Sequence, residues 1–161
     1  MADELRPACG SAPLAGAADH DQVVRALAER VKELTTLHGL ALPGHSPDGL
    51  GLLLEEPRVL FAGDHLSPCE IPFVDDLDDY RATLRRLLAL LPEVAEVVPG
   101  HGPRLSSAQA IEIARADLEY LEALAAPGEG GDGAAITLPR AADVPGMQEH
   151  HAENLVAARR R

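Results

Sequence analysis

The chain has 161 residues, 46% of them apolar, which is enough for one soluble domain with a real core. Aromatics are only 2% and Trp is absent, so Leu, Val and Ala must supply nearly all the buried area, and a net charge of -12 argues against a phosphate backbone as partner. No signal-peptide pattern opens the chain, no apolar run reaches the ~20 residues that cross a bilayer, and Cys9 and Cys69 form no CxxC pair, so a cytoplasmic location is expected.

Residues 1–20 mix Pro, Gly and small side chains without apolar periodicity and read as an irregular lead-in. From Asp21 to Leu34, Val23, Val24, Leu27, Val31 and Leu34 recur at helical spacing, with Asp19 or Asp21 available as N-cap. His38–Leu42 and Leu50–Leu54 read as strands, and Glu56-Pro57 leads tightly into a third, Arg58–Ala62, which ends at Gly63-Asp64. Asp75, Asp76, Asp78 and Asp79 stand before Tyr80, Leu84, Leu87, Leu88 and Leu91, the pattern of a helix with acidic residues on its positive end and a stop at Pro92. Val94–Val98 reads as a buried strand, and Ser106 or Ser107 caps a long helix through Ala125. The stretch 127–139, containing PGEGGDG, is expected to be a flexible linker, and 140–161 a C-terminal helix over Met147–Ala158 whose Arg159, Arg160 and Arg161 complement the helix dipole.

Three loops each follow an apolar strand and each present a side chain suited to a metal: Gly44-His45, Gly63-Asp64 and Gly100-His101-Gly102. Imidazole and carboxylate at strand ends, with glycine permitting a sharp turn, are what a catalytic metal site requires. A carboxylate such as Asp64 can also bridge two cations through its two oxygens. Taken singly, a Gly-His or Gly-Asp turn is ordinary surface chemistry, and His65, His150 and His151 are expected to be solvent-exposed.

In order and context, LPGHSPDGLGLLLEEPRVLFAGDHL followed by EVVPGHGPRLSSAQAI resembles the second half of the metallo-β-lactamase superfamily pattern. That pattern runs strand, GH[ST], hairpin, GD, helix, strand, GHG, helix, and the match covers the chain from about Leu37 to Ala125. The resemblance implies an α/β (α+β) fold, a partial αββα sandwich made mainly of the second sheet with its flanking helices, over residues 21–126. It further implies zinc as cofactor, with His45 on the first metal, Asp64 bridging and His101 on the second. The segment SPCEIPFVDDLDDYRATLRRLLALL is similar to the stretch after the GD loop in glyoxalase II-like and ribonuclease-like members.

The family's first ligand loop, HxHxDH, has no HxH counterpart here. Its nearest equivalent is Ala15-Gly16-Ala17-Ala18-Asp19-His20, either a degenerate ligand loop, in which Asp19, His20, Asp64 and His101 would form one complete site, or an ordinary helix start. An isolated half would leave one sheet face bare, to be covered by the helix at Asp21–Leu34, by a second copy or by a complementing chain. Two readings follow: a metal-dependent hydrolase of a small ester, thioester, lactone or phosphodiester, and a non-catalytic scaffold that keeps the fold.

Overall fold

The computed structural model describes residues 36–126 and 136–159. The lead-in, the helix expected at Asp21–Leu34, Asp19-His20 and most of the expected linker lie outside these residues. The described elements run β1 (Leu37–Ala41), β2 (Leu50–Leu54), β3 (Val59–Gly63), α1 (Leu77–Leu90), a tight 3-10 turn (Leu91–Glu93), β4 (Glu96–Pro99), β5 (Leu105–Ser106), α2 (Ser107–Ala125) and α3 (Met147–Ala158).

The five strands form one mixed sheet in chain order: β1, β2 and β3 are antiparallel neighbours, β4 joins β3 in parallel after the α1 crossover, and β5 returns antiparallel on β4. Register places Leu53 opposite Leu60, Leu60 opposite Val97 and Val97 opposite Leu105, so one row of buried aliphatic side chains crosses four strands. Because side chains alternate along a strand, their neighbours Leu50 and Phe61 face the other way and are 60% and 40% exposed. Among the described residues, the apolar alternation thus gives the sheet a core face and a more exposed face.

Two helices build the core on the buried face. In α1, Leu77, Tyr80, Leu84 and Leu87 recur at helical spacing and are buried, and Asp76 caps the start by accepting the Asp79 N–H at 2.8 Å. The expected stop at Pro92 is instead the entry to the 3-10 turn, whose first positions need no N–H from proline. In α2, Ser106 and Gln109 form a reciprocal capping box, and fully buried Ala110 and Ala114 let the helix approach its neighbours closely. The two-residue strand β5 was not anticipated, because two residues are too few to show a period.

The C-terminal helix docks through polar groups. Its buried residues are Met147, His151 and Asn154, and Tyr120 of α2 meets His151 Nδ1 at 2.9 Å. Before it, Arg140 donates two hydrogen bonds to the buried Asp117 carboxylate and a third to the Ser67 carbonyl at 2.7 Å. Burial pushes the Asp117 carboxyl up, and the guanidinium opposes that shift.

Candidate metal centre

Strand direction gathers the three loops. β1 is antiparallel to β2 and β2 to β3, so β1 and β3 point the same way, and β4 is parallel to β3. His45, Asp64 and His101 therefore leave their strands at one end of the sheet, as ligands do in open α/β sheets.

Each loop is pinned by short backbone bonds. Leu42 donates to the Gly49 carbonyl at 2.7 Å, closing the His45 loop, and Asp75 and Asp76 both donate to the Gly44 carbonyl, at 2.9 and 3.1 Å. Gly44 has φ +121°, and a Cβ there would lie 2.3 Å from the Tyr80 Cα, so the start of α1 rests directly on this loop. Thr83 adds a hydrogen bond to the Pro43 carbonyl at 2.8 Å. Gly100 donates to Gly63 at 2.6 Å, tying the His101 loop to the Asp64 loop.

The result is one carboxylate shared by two imidazoles. His45 Nε2 lies 3.5 Å from Asp64 Oδ2, and His101 Nε2 lies 3.4 Å from Asp64 Oδ1. These separations exceed the usual N–H···O range of about 2.7–3.2 Å. They match the spacing of roughly 3.3–3.4 Å expected for two ligands each about 2.0–2.1 Å from a tetrahedral zinc. The spacings suit a cation held between the carboxylate and an imidazole. The set is not complete: among the described residues no group of three or more His, Cys, Asp or Glu side chains could hold an ion unaided.

Two histidines depart from expectation. His65, expected in solvent, is buried against Tyr80 with ring centroids 4.7 Å apart, and burial together with His45 pulls its imidazole down to about 4, so it is neutral at neutral pH. His151 is buried in the α3 junction, whereas His150 keeps its side chain 33% exposed while packing on Phe73 with centroids 3.9 Å apart. Phe73 in turn sits edge-on to His45 at 6.1 Å. Sequence spacing could not reveal these contacts, because each depends on an element distant in the chain. The Nδ1 of His45 and Nε2 of His65 are buried without hydrogen-bond partners among the described residues.

No described helix is long and apolar enough to cross a membrane. The sequence model of the metallo-beta-lactamase superfamily matches residues 5–101, a span that includes all three ligand candidates. A beta-lactamase-like protein 2 homolog from Caenorhabditis elegans is 38% identical over 68 residues, 42% of this chain and 22% of its own length. An atrochrysone carboxyl ACP thioesterase from Paecilomyces divaricatus is 41% identical over 70 residues, 44% of this chain and 22% of its own. The chain thus spans about a fifth of the length of these relatives. Among solved structures, a metallo-beta-lactamase family protein from Thermus thermophilus superposes with a TM-score of 0.53 at 26% identity, covering 76% of this chain and 42% of that one. The order of the candidate loops agrees with the family match, which spans more than half of the sequence: the chain belongs to the metallo-beta-lactamase superfamily.

Proposed function

We propose that this chain carries half of a metal-dependent hydrolase site acting on an ester or thioester, with His45 and His101 on opposite oxygens of a bridging Asp64. The observation that carries it is the sharing of one carboxylate by two imidazoles at 3.4 and 3.5 Å. Thioester is the preferred substrate class because similar relatives are named as thioesterases, including one from Emericella nidulans that is 39% identical over 67 residues. Zinc, when bound in such a site, would supply a hydroxide nucleophile and would stabilise the developing oxyanion. The chain's own part is positional: Gly63 and Gly100 bring the carboxylate and imidazole loops together, and α1 holds the His45 loop from below. On this reading the remaining ligands come from outside the described residues, and Asp19 and His20 are the sequence's own candidates.

A non-catalytic scaffold is the second reading, favoured by the lack of any HxH in the sequence, where the family's first ligand loop carries one. Elemental analysis of full-length protein purified without added metal or a His-tag separates the two. The hydrolase reading expects near-stoichiometric zinc that is lost in His101→Ala and, because it serves both positions, lost at least as fully in Asp64→Ala. Well-folded protein without zinc would leave the scaffold.

A further inference from the structure

The C-terminal helix reaches the candidate metal centre through a row of three rings. Phe73 lies edge-on to His45 at 67°, and His150, in the first turn of α3, lies across Phe73 at 51°. Phe73 and His150 are each only partly buried, Phe73 packing against the edge of the core and His150 with its side chain 33% exposed.

Buried polar groups hold the row from behind. Asn154 accepts the Val74 N–H at 2.9 Å and donates to the Pro72 carbonyl at 2.6 Å, so one side chain grips the peptide groups on either side of Phe73. Its amide also donates to the Tyr120 hydroxyl at 3.1 Å, and the same hydroxyl meets His151. Glu153 stands 3.0 Å from His150 Nδ1 and orients that ring. Satisfying a buried amide this fully makes its geometry specific, and what it specifies is the placement of Phe73 beside a candidate metal ligand.

We propose that Phe73 and His150 are specificity-determining residues that seat the flat, aromatic acyl group of the substrate, and that Asn154 is the positioning residue for Phe73. The proposal rests on the hydrolase reading of the same site and adds the substrate's acyl class. Two partly exposed aromatic side chains, already packed on each other, offer offset or edge-on contacts to a planar group that a short aliphatic acyl group cannot make, a difference of about tenfold in affinity.

The test uses full-length protein with 13C-labelled His and Phe rings, before and after chelation of metal, titrated with 2-naphthoate and with acetate as acyl-product probes. Naphthoate is expected to shift the Phe73 and His150 ring signals and, with zinc present, to bind about tenfold more tightly than acetate. His150→Ala should bring the two affinities together, His150→Phe should keep them apart because it retains a ring, and Asn154→Ala should narrow the gap without removing zinc. Ring signals unmoved by naphthoate both with and without metal, or selectivity that survives His150→Ala, would overturn the proposal. Failure of the hydrolase reading shows differently, as ring shifts that persist in protein that never retains zinc.

Discussion

Asp64 can turn toward His101 only because Gly100 has no side chain. A Cβ there would stand 2.8 Å from Asp64 Oδ1 and 3.1 Å from the Gly63 carbonyl. The first of those atoms is the far end of a mobile side chain, so the fold can absorb an added methyl by swinging the carboxylate aside, whereas the candidate site cannot. Gly100→Ala should therefore weaken zinc binding by at least about tenfold while shifting stability by under ~1 kcal/mol, since large losses belong to cores and buried charges. Competition with a chromophoric chelator, run beside thermal melts, checks both halves, and a variant that binds zinc normally would show that Asp64 need not hold this position. At this scale the sequence was legible where chemistry demanded a residue type: glycine beside each ligand candidate. It was silent on His65, because nothing in Gly63-Asp64-His65 discloses that Tyr80 will arrive from α1 to cover that imidazole.

Elements were legible where the apolar period was long. The strands at Leu50–Leu54 and the helix at Met147–Ala158 stand where periodicity and composition place them, and the capping serine predicts the start of α2. The way the segment leading into α3 attaches was not legible, because Arg140, ahead of the helix, is held by an ion pair to a residue 23 positions away rather than by an apolar stripe. Asp117 is almost completely buried and Arg140 is its bidentate partner, so Arg140→Ala would leave a carboxylate buried without its countercharge and would free the Ser67 loop that follows Asp64. Breaking such a pair costs about 3–5 kcal/mol, whereas replacing both members by apolar groups is often nearly neutral. Urea denaturation should accordingly show a large loss for Arg140→Ala and recovery of most of it in the Asp117→Leu, Arg140→Met double variant. A small loss for the single variant would mean that the segment before α3 is held chiefly by the contacts of α3 itself, through Asn154, His151 and Tyr120.

Across the molecule, the gathering of three ligand candidates was legible because it needs only strand order and direction, both implied by a hairpin followed by a crossover helix. What completes the site was not legible, since the family's first ligand loop has no intact counterpart in this chain. The core that supports the site can be read by one titration, because the chain has two tyrosines and no Trp, and both tyrosines are buried between sheet and helices. Burial raises Tyr120 to about 12, with the Asn154 hydrogen bond opposing, and raises Tyr80 further still. The folded chain thus holds its phenolic protons more tightly than the unfolded chain, in which both release near the ordinary value of about 10. Stability from these groups is fully present below about pH 10 and is lost as pH climbs toward about 12. Absorbance at 295 nm should stay flat through about pH 10 in native protein and then rise for both rings together, at the pH where the helical circular dichroism disappears. In urea the same rise should centre near about pH 10. A half-amplitude step at about pH 10 in native protein would place one ring in water, and with it either the Tyr80 support beneath the His45 loop or the Tyr120 anchor of Asn154 would be lost.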